Sequence, residues 1–180
     1  MSLDPAVDAT LRAAFALLFL TAASHKLRDV GRFRATLGDY RLLPVAVVPF
    51  AGALLIGTEI AVAILLLVSV RRAPGPVSAA GLLALYAVAI AVNLARGRRH
   101  IDCGCMGPTV RRPISGWLVA RNAALAVAVL AGLAPVGPRP LAWMDALTVV
   151  AATMTLATLY ASLDGLLAHG PALARLRGAL

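Results

Sequence analysis

Charge is scarce in this chain: only 14% of its 180 residues are Asp, Glu, Lys or Arg, against roughly 25% in a typical globular domain. Combined with 61% hydrophobic residues, that scarcity excludes a disordered chain, which needs low hydrophobicity, and argues against a soluble globule. Aromatic residues are few as well, at 5%, and they do not interleave with the basic ones. Without such a stacking platform, the net charge of +9 does not point to nucleic acid as a partner. The apolar/polar alternation of membrane β-strands is missing, and no repeat of fixed period is present. The chain also lacks a basic start. Asp4 and Asp8 stand where a cleaved signal peptide would be positive, so the first apolar run is expected to be a retained helix.

What is abundant is long apolar sequence. Each residue of a helix rises about 1.5 Å through a hydrocarbon core roughly 30 Å thick, so about 20 apolar residues span it. Five runs qualify, at about 6–25, 45–70, 77–95, 114–134 and 141–163. Their Ala- and Leu-rich composition reads as helix, because lipid admits only helices and closed barrels. The expected fold is therefore all-α: a polytopic integral membrane helical bundle over residues 1–180, with a four-helix core and a fifth transmembrane helix. Pro74-Gly75-Pro76 and the stretch Pro135 to Pro140 make tight links. Within 27–43, Leu27, Val30, Phe33, Leu37 and Tyr40 recur at steps of three or four, the spacing of an interfacial amphipathic helix. Tyr40, Trp117, Trp143 and Tyr160 fit the aromatic belts of a bilayer.

The basic residues then become a topology signal. Five spans put Lys26 and twelve arginines on one side, and only Arg12, Arg71, Arg72 and Arg139 on the other. By the positive-inside rule the richer side is cytoplasmic and the N-terminus faces outward, in a multi-pass protein of the cell's inner (plasma) membrane.

The remaining link, 96–113, holds His100-Ile101-Asp102-Cys103-Gly104-Cys105-Met106-Gly107-Pro108, with the only two cysteines of the chain. Thiols this close can form an intramolecular disulfide, but the tight ring departs from relaxed geometry and is easier to reduce. That favours a redox-active pair over a structural staple. Neighbouring Arg98, Arg99, Arg111 and Arg112 promote thiolate, whereas Asp102 opposes it. Three readings compete here: a thiol–disulfide component, a soft-metal (copper or zinc) site built from Cys103, Cys105 and His100, and an assembly scaffold in which the cysteines are inert. Inside the spans, ionisable groups are costly and become functional candidates. Glu59 is the deepest, and Lys26 and Arg121 are the cations available to it. His25, next to Lys26, reads as part of a surface pair at a helix end or as a base. Asn93, Asn122 and Asp145 read as interhelical hydrogen-bonding groups.

Taken in order, Ala23-Ser24-His25-Lys26-Leu27, Tyr40-Arg41-Leu42-Leu43-Pro44, Glu59, Asp102-Cys103-Gly104-Cys105 with Gly107, and Arg121-Asn122 form a recognisable series. It resembles the MauE (methylamine utilisation) family within the DoxX-like group of redox-associated membrane proteins, over about residues 9 to 132. Met106 stands where that family usually has an aromatic. The resemblance implies a small helical bundle supporting disulfide formation in exported proteins, as in maturation of the methylamine dehydrogenase small subunit. It further implies a thioredoxin-like partner. On this chain the redox pair would be Cys103 and Cys105, with His25, Lys26, Glu59, Asp102, Arg121 and Asn122 as supporting polar groups. The charge count sets the cysteines on the cytoplasmic side, whereas chemistry on exported proteins would set them outside. A recessed site passing electrons to a quinone or a second thiol protein would reconcile the two, as would a re-entrant site whose charges mislead the count.

Overall fold

A computed structural model describes residues 2–68, 73–102 and 113–177, with side chains of the last helix described to residue 166. Its elements are α1 (Pro5–Arg28), α2 (Val30–Asp39), α3 (Val48–Val68), α4 (Pro74–Ala95), α5 (Gly116–Leu130) and α6 (Trp143–Arg177). A 3-10 turn, Val45–Val47, leads into α3, and another, Ala131–Leu133, extends α5. Among the described residues, five of these helical stretches are long and apolar enough to cross a membrane. Leu54, Leu67, Val88, Val127, Leu147 and Leu159 each leave more than half of their surface exposed, an apolar exterior suited to lipid.

Local chemistry sets the helix limits. Asp4 caps α1 by accepting the Ala6 N–H at 2.8 Å, and Pro5 follows at the first helical position. The surface helix is shorter than the 27–43 expected from its periodicity. Leu27 and Arg28 complete α1, and Asp29 closes that helix while accepting the Arg32 N–H at 2.9 Å to open α2. Leu27 is accordingly exposed, whereas Phe33 and Tyr40 are buried, so Tyr40 belongs to the core and not to a lipid-facing belt. At the other end of the chain α6 runs well past residue 163, and its 35 residues reach about 50 Å, more than the hydrocarbon core needs.

α1 packs mainly on α3 and α6, while α4 packs on α5 and α3. The α3–α4 approach is close at Gly75, where a Cβ would stand 3.1 Å from the Leu65 carbonyl oxygen. The interior then divides lengthwise. Toward the 3-10 turn that ends α5, Phe15, Phe19, Val62, Leu66, Leu82, Leu83 and Val129 form an apolar core. Toward α2, apolar packing splits into two smaller groups, Tyr40 with Ile90, Ile114 and Leu118, and Ala23 with Phe33 and Ile56. On this side lie the buried Lys26, Glu59, Asn93 and Asn122, whereas Asp8 is buried at the opposite end of α1.

Candidate functional site

The last turn of α1 carries His25, Lys26 and Arg28. The helix phase turns Lys26 inward, while its neighbour Leu27 faces out. Lys26, 5% exposed, donates through Nζ to Oε1 of Glu59 on α3, which is fully buried. The hydroxyl of Tyr86 on α4 donates to the same Oε1 at 2.8 Å and lies 3.4 Å from the ammonium. The cation also sits over two rings, 5.3 Å from the centroid of Phe33 and 5.1 Å from that of Tyr86. Two opposite charges removed from water hold together only with good geometry and added hydrogen bonds. Here the carboxylate oxygen Oε1 has two donors and the ammonium has two aromatic faces. The other carboxylate oxygen, Oε2, is buried without a hydrogen-bond partner.

Of the two cations that the sequence offers to Glu59, Lys26 is the partner. Arg121 turns to α6 instead. It donates to Asp164 Oδ1 at 2.7 Å, with side chains 11% and 3% exposed, and its guanidinium lies 5.9 Å from the Tyr160 ring centroid. The asparagines do not bridge helices through the bonds of their amide nitrogens. Asn93 donates to Ala89 C=O at 3.0 Å and Asn122 to Leu118 C=O at 2.8 Å, each one turn back on its own helix. Both are buried, and Asn93 Oδ1 and His25 Nδ1 are buried without partners.

Cys103 and Cys105 lie outside the described residues, but the two ends of their segment do not. Asp102 and Pro113 form an isolated antiparallel bridge, and the Ile114 N–H donates to Ile101 C=O at 2.9 Å. Arg32 of α2 holds Asp102 at 3.1 Å. The cysteine segment thus leaves and rejoins the bundle at adjacent points beside α2, the same end at which Lys26 enters. His100 is exposed there.

At the opposite end Arg139 bridges Asp4 at 3.1 Å and Asp145 at 2.9 Å. This guanidinium, aided by the Ala6 N–H, holds the Asp4 carboxyl below its ordinary range. Asp145 therefore belongs to a surface clamp.

Tyr86 and Asp164 are the site residues that sequence reasoning missed. Tyr86 stands in a span without charge, and Asp164 falls one residue past the expected end of the fifth span. Composition carried a signal: Lys26 is the only lysine beside sixteen arginines, and Glu59 the only glutamate beside seven aspartates. The two singletons are each other's buried partner.

The profile of the family described as "Methylamine utilisation protein MauE" matches residues 4–135, from the start of α1 to just past α5. The chain is 39% identical over 166 residues to the methylamine utilization protein MauE of Paracoccus denitrificans, covering 91% of this chain and 89% of that one. It is 38% identical over 180 residues to the Paracoccus versutus protein of the same name, covering 97% and 96%. Against the Methylophilus methylotrophus protein of that name it is 38% identical over 168 residues, covering 89% and 86%. No solved structure matches.

Proposed function

The chain belongs to the MauE family of methylamine utilisation proteins, and from that premise we propose that it serves methylamine utilisation as a thiol–disulfide component of the plasma membrane, supporting disulfide formation in exported proteins. Cys103 and Cys105 are the exchanging pair. The thiolate of one attacks a disulfide of a thioredoxin-like partner, forming a mixed disulfide and expelling one partner thiolate. The second cysteine then attacks, so the chain's pair becomes a disulfide and the partner leaves as a dithiol. Run in reverse, the same exchange passes the disulfide outward to the partner and its clients.

The observation that carries the reading is the placement of the chain's only cysteines. They are separated by one glycine, on a segment whose flanking residues pair with each other, Asp102 with Pro113, at the α2 end of the bundle. The Arg32–Asp102 contact supports it: the acid next to Cys103 faces a guanidinium, which offsets its opposition to thiolate. Thiol trapping in cells followed by mass spectrometry tests the reading. The expected result is a pair found in both redox states, with client disulfides lost in Cys103→Ser and Cys105→Ser. A pair that never changes state, or serine variants that mature clients normally, sinks it.

A further inference from the structure

The buried unpartnered oxygen of Glu59 calls for its own explanation, since a buried polar atom without a partner is uncommon and costly. We propose that Lys26, Glu59 and Tyr86 form a proton-binding site inside the bundle, in which Glu59 Oε2 takes up and releases one proton while Lys26 stays charged.

Three features of the site argue for this. First, both donors to the carboxylate meet Oε1, so a proton arriving at Oε2 displaces no hydrogen bond. Second, the ammonium does not depend on the carboxylate alone. The ring faces of Phe33 and Tyr86 remain on it when Glu59 becomes neutral, which lets a buried site carry the extra positive charge. Third, two further unpartnered buried atoms lie on the α2 side of the pair, whereas those of Asp8 and Arg12 are separated from it by the apolar core. His25 Nδ1 is on the residue next to Lys26, and Asn93 Oδ1 is two turns along α4 from Tyr86. In the other direction the next residues of the interior are the apolar Val62, Leu66, Leu82 and Leu83. The proton therefore enters and leaves from the α2 end, where the cysteine segment joins the bundle.

The groups facing Glu59 can be named helix by helix. α1 supplies Lys26, with His25 beside it, and α4 supplies Tyr86. From α2 comes the Phe33 ring over the Lys26 ammonium, while the stem of Arg34 packs two turns away at Gly52. The step is a transfer of one proton between water at the α2 end and a carboxylate, and it consumes no oxidant or reductant. It stands whether or not the cysteines are redox-active.

The composition makes the test direct. Glu59 is the only glutamate and the chain has no glutamine, so carbon-13 glutamate introduced by cell-free synthesis labels this carboxyl alone. Infrared difference spectra of the bilayer-embedded protein are recorded between about pH 5 and about pH 9, with the acid-unfolded chain in detergent as reference for the protonated band. The expected result is a labelled carboxylic-acid band that grows as pH falls and shifts in deuterated water. Tyr86→Phe removes a donor to the carboxylate, so its titration differs from that of the parent. Cys103→Ser/Cys105→Ser protein titrates like the parent. A folded chain with no acid band at any pH, beside a clear reference band, overturns the proposal in favour of a permanent ion pair. Identical titrations for the parent and Tyr86→Phe remove Tyr86 from the site and overturn the three-residue assignment. Inert cysteines together with a titrating Glu59 overturn the thiol reading alone.

Discussion

The two halves of this bundle are made of the same helices and filled with different chemistry. Away from α2, four helices meet through Phe15, Phe19, Val62, Leu66, Leu82 and Val129. Toward α2 the same helices contribute Lys26, Glu59, Tyr86, Asn93 and Asn122 to the interior. Lipid tails are as apolar as leucine, so apolar packing in a membrane protein lacks most of the drive that it has in water. The apolar half is stabilised by close fit. The polar half is held by electrostatics in a low-dielectric setting, where every partner matters because no water replaces a lost one. Tolerance of change should differ accordingly.

The largest expected effect is in the polar half. Lys26→Met leaves Glu59 as an uncompensated buried charge and should destabilise the folded chain by about 3 kcal/mol or more. Adding Glu59→Gln should recover most of the loss, as read by unfolding in mixed micelles. Recovery no better than additive would mean that the pair is not the unit described. Phe19→Ala opens a gap in the apolar half and should cost about 2 kcal/mol, below the range for soluble cores. The same variant should leave the titration of Glu59 in place; a changed titration would show that the two halves are not independent.

A third change addresses the link between core and periphery. Arg121→Gln removes the contact with Asp164 and should cost about 1 kcal/mol. Its stronger signature is faster amide exchange in α6, which packs chiefly on α1. The smallest effect belongs to the exposed clamp at the far end. Because Arg139 depresses the Asp4 carboxyl, the contribution of the clamp is present above the ordinary carboxylate range and fades as pH falls through the depressed value. Exchange at the first turn of α1 should quicken under acid, and Asp4→Asn should abolish that acid sensitivity without disturbing the α2 end.

Much of this was legible in the sequence because the bilayer imposes a simple rule. Long apolar runs had to be helices, and five helices long and apolar enough to cross a membrane follow from it. The pairing of Glu59 did not follow, because two cations at comparable depth satisfied the same requirement. Only the helix phase, which faces Lys26 inward and leaves Leu27 outside, chooses between them. Tyr86 was hidden because a phenol adds little polarity to a hydropathy window. Asp164 was hidden because the apolar run was ended just before it, whereas the helix continues past this acid, which Arg121 partners. The surface helix was over-extended for a related reason: side-chain periodicity runs through Asp29 without a break, and the backbone does not.

That junction at Asp29 has a mechanical consequence. One residue ends α1 and starts α2, so the two segments meet at an elbow with no slack. Lys26 stands three residues before the elbow and Phe33, whose ring covers it, four residues after. The surface helix therefore leaves α1 within one turn of the buried cation. Because the Phe33 ring of α2 lies 5.3 Å from the Lys26 ammonium, the angle at which the surface helix leaves the bundle and the shielding of a charge inside it are fixed by the same residue.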